Sequence, residues 1–399
     1  MKSTDHIVPK LNEDVGFYPF NGSEYLVQHN TLKHQVNINQ ETLQLLNLVD
    51  GKRTIKKIAD IYLANYHKRL SSKVIYTILY DRLAKYGFIE QDEYEVEKRQ
   101  RASYLKLSFV IFSQNQISYL TKPLTFLFEQ KTFYTLFIIA SIIAGGIIVL
   151  NLQTILVNID RFLTLNLILY LLVFQVSTLL HELGHASACR RFGAMHGGIG
   201  FGFYLLTPVF FADVSDAWKL KPQQRIIVNL GGIYMEMLFS SGLLIAYLIT
   251  GQVNLLLIPC LLISGTLYNL NPLLRFDGYW VLADMTSIPN LQKKSFESLK
   301  NKWRSLKDGN ISFADRNEIL LVLYALASAI FIFMFLSIVL LYDSNSIFQL
   351  PFNLYSLVQD WKSIQLPDIK QLIIPLIFWY LIFKLFFKYG KKWFNTLGR

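Results

Sequence analysis

Two hydrophobic regimes divide the chain. Up to about residue 95 the apolar positions come in short, interrupted runs. Residues 24–28 and 33–39 alternate as strands do, and Leu43, Leu45, Leu46 and Leu48 recur at helical spacing over 41–50. Gly51 is placed to end that helix and Thr54 to cap the next, which carries Ile55, Ile58, Ala59 and Tyr62 along one side. A third helix is expected from Ser71 or Ser72, with Val74, Ile75, Ile78, Leu79 and Leu83 on its apolar side and Gly87 at its stop. Two or three strands with three helices predict a small α+β, winged-helix-like domain over 1–95.

Beyond the charged stretch 91–101 the runs lengthen. Six segments approach the roughly 20 residues that a bilayer core requires: about 132–151, 163–185, 226–250, 254–271, 318–342 and 371–389. Residues 104–131 mix Phe and Leu with Lys and Gln, which predicts an interfacial helix. The expected division is therefore a front domain at 1–95, a linker and interfacial helix at 96–131, and a membrane domain at 132–399. The fold class expected is a polytopic α-helical membrane protein of about six spans with an N-terminal cytosolic α+β domain.

Charge orients these segments. Arg190, Arg191, Lys219, Lys221 and Arg225 lie between the second and third, and seven Lys and Arg from Lys293 to Arg316 lie between the fourth and fifth. Lys388, Lys391, Lys392 and Arg399 follow the sixth, whereas the alternate loops hold few cations. The positive-inside rule then predicts a multi-pass cell-membrane protein with both termini in the cytosol. The net charge of +11 follows this topology, so no nucleic-acid partner is expected. The polar start of the chain predicts no cleavable signal peptide. Cys189 and Cys260, far apart in apolar sequence, do not form a disulfide framework.

Inside the second apolar segment stands His181-Glu182-Leu183-Gly184-His185. Residues four apart share a helix face, so two imidazoles can grip one ion with Glu182 beside it as general base. Charged groups in a span are costly, which makes function their default reading. A catalytic zinc takes three protein ligands and keeps an open position, so a third must come from elsewhere. Asp277 is the candidate: Pro272 breaks the fourth segment, and Gly278 permits a sharp turn that returns the carboxylate to the histidines.

This pair of motifs, His-Glu-x-x-His in one span and Asn269-x-x-Pro272-x-x-x-x-Asp277-Gly278 near another, resembles the site-2 protease family of intramembrane zinc metallopeptidases. The resemblance implies Zn2+ on His181, His185 and Asp277, with Glu182 as the catalytic acid and base. It also implies hydrolysis of a peptide bond at the membrane, in a core of roughly 163–290. One departure concerns the following span, where many family members carry Asn in a Gly-Pro-containing segment and this chain has Gly232-Ile233-Tyr234-Met235-Glu236. Glu236 is either a functional hydrogen-bond partner or a buried group satisfied by neighbouring helices.

The Gly- and aromatic-rich stretch 197–218 reads as a substrate-contacting hairpin or an aromatic interfacial loop. Asp213 and Asp216 there suit cap and turn roles or further metal and substrate contacts. Cys189 suits a small buried thiol, and His196 a loop residue. The front domain resembles PqqD-like peptide-recognition domains through its strand pair, the stretch Leu45-Leu46-Asn47-Leu48-Val49-Asp50-Gly51 and the third helix. That resemblance implies a leader-bearing ribosomal peptide added as a strand against residues 33–39, bounded by Lys33 and Asn39, and helix 72–84, bounded by Ser72 and Ala84. Two other functions fit the same pattern: a non-hydrolytic factor for peptide capture, export or immunity, and a membrane-tethered signalling protease.

Overall fold

Four helices of the computed structural model are long and apolar enough to cross a membrane: Gln130–Leu150, Leu167–Arg191, Pro222–Thr250 and Arg316–Met334. The structure describes residues 4–21, 24–90, 96, 105–204, 207–307, 315–342, 349–359, 375, 376, 379, 380 and 383. They form two compact units, Met1–Phe203 with Pro208–Pro289, and Tyr204–Thr207 with Asn290–Arg399.

The first unit opens with an antiparallel sheet in the order β1 (Val15–Asn21), β2 (Glu24–His29), β3 (Gln35–Asn39). Helices α1 (Gln40–Leu46), α2 (Ile55–Tyr66) and α3 (Ser72–Tyr76) follow. Val15, Phe17, Tyr25, Val27, Val36 and Ile38 pack from one sheet face onto Leu45, Ile58, Ile75 and Leu79 of the helical layer. Thr54 and Ser71 cap as expected, accepting from the Lys57 and Val74 amides. The first helix is shorter than the leucine spacing predicts: it ends at Leu46 with Asn47 as its cap, and Gly51 instead takes a left-handed conformation in the following turn. Past α3 the backbone widens into a π-helical stretch, Thr77–Leu83, before Gly87 stops it.

The interfacial segment divides in two. Its beginning is a strand, β4 (Leu105–Phe112), and only then comes α4 (Gln114–Leu124). The alternation of β-branched and aromatic residues in Leu107-Ser108-Phe109-Val110-Ile111-Phe112 is a strand signal that the mixed composition hid. β4 joins β5 (Ile199–Tyr204) and β6 (Thr207–Ala212) in a second sheet of order β4-β5-β6, in which β6 is an edge strand among the described residues.

The apolar core is built from α5 (Gln130–Leu150), α6 (Leu152–Leu165), α7 (Leu167–Arg191), α8 (Pro222–Thr250), α9 (Asn254–Asn269) and α10 (Asp277–Thr286). α7 and α8 meet backbone to backbone, because a Cβ at Gly184 would lie 2.2 Å from the Gly231 carbonyl oxygen. Small residues are what allow such an approach between apolar helices. The predicted span 254–271 is the 16-residue α9, too short to count with the four. The predicted span 371–389 lies almost wholly outside the described residues. The second unit contributes α11 (Leu291–Lys307), α12 (Arg316–Tyr342) and a helix at Leu350–Gln359.

Candidate metal centre

α7 carries His181 and His185 on successive turns, and the start of α10 brings Asp277 against them. The His181 and His185 Nε2 atoms are 3.0 Å apart, and Asp277 Oδ2 lies 3.1 and 3.4 Å from them respectively. Donors around a tetrahedral zinc at its usual bond lengths of ~2.0–2.1 Å stand about 3.3 Å from one another, so these three atoms fit that ion. Among the described residues, this is the group of three ligand-type side chains close enough to share a metal.

Each ligand is aimed by a second contact. His185 Nδ1 is 2.7 Å from the Val228 carbonyl oxygen of α8, which can only accept; Nδ1 therefore carries the proton and Nε2 keeps its lone pair for a metal. His181 Nδ1 faces Glu236 Oε2 at 3.3 Å, and the Thr266 hydroxyl donates to the same oxygen at 2.8 Å. Gly232 makes room for the His181 ring, since a Cβ there would stand 2.4 Å from Nε2. On Asp277, the Asn269 amide donates to Oδ2 at 2.8 Å while Asn269 Oδ1 accepts from the Asp277 backbone N–H at 3.3 Å. Gly278 lets the chain double back, as a Cβ at that position would lie 2.0 Å from the Leu270 carbonyl oxygen.

Glu182 points to the second sheet, where its Oε2 accepts the Ala212 backbone N–H of β6 at 2.5 Å. The general-base candidate thus sits against an edge strand. The other candidates stand apart from the ligand group. Cys189 is buried and donates to the Met195 carbonyl at 3.4 Å. Asp213 accepts from the Ser215 N–H and hydroxyl, a turn role. His196 lies in a connection and is buried, with Nε2 3.2 Å from the Thr121 hydroxyl.

Asp216 has a role that composition did not reveal. It is buried and accepts from Gln28 Nε2 at 2.5 Å, the Met195 N–H at 2.6 Å and Lys219 at 2.7 Å. Burial alone would raise its carboxyl, but these donors hold it below the ordinary carboxylate value. Gln28 lies on β2, so this cluster ties the front sheet to the turn beneath β5 and β6. Gln35 of β3 adds a bond to the Ser215 carbonyl at 3.0 Å. Asn269 and Glu236 complete the residues whose roles the sequence did not define; for Asn269 the signal was its place in the motif, eight positions before Asp277.

Over 124 residues, 30% of this chain, the sequence is 32% identical to a protein of Bacillus subtilis (strain 168) named "Putative peptide zinc metalloprotease protein YydH". Those residues are 49% of that protein, so the chain spans about half the length of this curated relative. No family model matches the chain, and no solved structure matches it. The relative's name fits a zinc metalloprotease, and the donor set built by His181, His185 and Asp277 fits the metal in that name.

Proposed function

We propose that this chain is a membrane-embedded zinc metalloendopeptidase of site-2 type. Its substrate class is a ribosomally made peptide precursor or a membrane-associated peptide. The observation that carries this reading is the convergence of His181 Nε2, His185 Nε2 and Asp277 Oδ2 within 3.4 Å, with both histidines on a helix apolar enough to cross a bilayer. Zinc, when bound, supplies Lewis acidity toward the scissile carbonyl and makes water acidic enough to attack near neutral pH.

The chain's own residues do the rest. His181, His185 and Asp277 hold the ion, and Val228, Glu236 and Asn269 orient them. Glu182 takes the proton of the attacking water as the new C–O bond forms, then delivers it to the amine as the C–N bond breaks. β6 offers an edge beside Glu182, and an extended peptide adding there as a fourth strand would have its backbone unwound for cleavage. The front domain captures a leader segment in PqqD-like fashion, along residues 33–39 and 72–84. The cationic loops support a cell-membrane location with both termini in the cytosol.

The test is the full-length protein purified in detergent, with metal content and peptide products measured for wild type and Glu182→Gln. Short peptides encoded beside the gene, expressed with each form, are followed by mass spectrometry. An intact precursor accumulating only with Glu182→Gln, at unchanged metal content, is expected. Identical peptide profiles with the precursor present and both proteins stable would overturn hydrolysis and leave capture without cleavage.

A further inference from the structure

The β1–β2 pairing contains a bulge at Phe20. Pro19 pairs with Tyr25 and Asn21 with Glu24, so Phe20 is the residue left without a partner. Alternation along β1 places Phe20 on the sheet face opposite Val15 and Phe17, away from the core that they help to build. Phe20 is nonetheless only 4% exposed. What covers it comes from outside the front domain: the Trp218 ring of the turn before α8 at 5.6 Å between centroids, and the guanidinium carbon of Arg225 of α8 at 4.8 Å over its face.

Both contacts lead to α10. Trp218 meets Trp280 edge-on at 5.7 Å. Arg225, 3% exposed, binds Asp284 Oδ1 through Nε at 2.7 Å and a terminal nitrogen at 2.6 Å, and Asn229 holds the other oxygen at 2.8 Å. Trp280 and Asp284 lie three and seven residues after Asp277, spacings that share one helix face. A single front-domain ring therefore covers the two side chains that hold the helix on which Asp277 is the first residue.

We propose that the front domain is a structural part of the metal site, with Phe20 acting through Arg225 and Trp218 to position α10 and hence the Asp277 carboxylate. The inference rests on reading His181, His185 and Asp277 as a zinc site. Phe20 is a positioning residue, since it touches none of the ligands. Removing its ring admits water to the Arg225–Asp284 pair, weakens that pair by raising the local dielectric, and lets α10 shift. Ligand sites tolerate misplacement of only about 0.5 Å.

The test uses full-length protein in detergent. Zinc affinity is measured by chelator competition, and ligand geometry by the visible bands of the Co2+-loaded form, for wild type, Phe20→Ala, Phe20→Leu and Ile58→Val. Ile58 lies in the front domain's own core and controls for loosening of that domain. Phe20→Ala is expected to lower zinc affinity about tenfold, the lower end of what losing a ligand's supporting partner does, and to shift the Co2+ bands. Phe20→Leu, which keeps the site filled without a ring over Arg225, is expected to fall between it and wild type and provides the answer should Phe20→Ala not fold. Ile58→Val is expected to match wild type. Wild-type affinity and bands in the folded Phe20 variants would overturn this inference alone, as would an Ile58→Val protein that weakens as much as they do. A wild type that takes up no metal would overturn the zinc reading and this inference with it.

Discussion

Glu236 Oε2 lies 3.3 Å from His181 Nδ1, while the opposite ring nitrogen, Nε2, lies 3.1 Å from Asp277 Oδ2. The imidazole thus stands between the Glu236 carboxylate and the centre where its lone pair is needed. Glu236→Ala is expected to reduce zinc affinity by about 10- to 100-fold. Glu236→Gln keeps an oxygen beside Nδ1 and is expected to stay within a few-fold of wild type. Chelator competition distinguishes them, and equal loss in both variants would refute an orienting role.

Gly232→Ala separates helix stability from site integrity. Alanine in a helix interior is favoured over glycine by about 1 kcal/mol, yet its Cβ would fall 2.4 Å from the His181 ring. The expected protein is helical by circular dichroism and fails to retain stoichiometric zinc after dialysis. Gly184→Ala strikes the Gly231 backbone instead, which a ring flip cannot relieve, and is expected to destabilise the fold itself by about 1–3 kcal/mol.

Asn269→Ala removes the side chain that donates to Asp277 Oδ2 and accepts its backbone N–H. A loss of zinc affinity of about tenfold or more is expected from chelator competition, with the Asn269→Asp variant no better because it lacks the donor. Full retention of affinity in Asn269→Ala would show that the turn holds Asp277 unaided.

The Asp216 carboxyl predicts an acid-sensitive contact. Its native value is held below the unfolded value of 3.8, so the stabilisation it contributes is complete above that pH and is lost as pH falls through the native value. The difference in Tm between wild type and Asp216→Asn is therefore expected to be constant from neutral pH to about pH 5 and to shrink below pH 4. Measuring it as a difference cancels the protonation of His181 and His185, common to both proteins. A difference that grew on acidification would contradict the assignment.

The convergence of the three candidate ligands was legible because helical spacing and motif order are local: His181 and His185 share a face by sequence alone, and Pro272 and Gly278 announce the turn before Asp277. The front strands and helix caps were legible for the same reason. β4 was missed because its pairing partner β5 lies more than eighty residues downstream, and an edge strand with both apolar faces looks like an interfacial segment when read alone. Glu236 could be noticed but not assigned, since only the packing of α7 on α8 decides which ring nitrogen it meets. Gln28 and Phe20 gave no signal: a polar residue and an aromatic near a hairpin end look like ordinary surface until the second face of the sheet is found covered.

That covering has a consequence for how the chain changes over time. Gln28 and Asp216 stand 188 positions apart and share one buried hydrogen bond, so replacing Gln28 alone takes the donor from Asp216 Oδ1, Met195 and Lys219 holding only Oδ2, and replacing Asp216 alone takes the acceptor from the Gln28 amide. The pair is expected to vary in concert among relatives, and a front domain borrowed from another such protein must bring a partner for Asp216 with it.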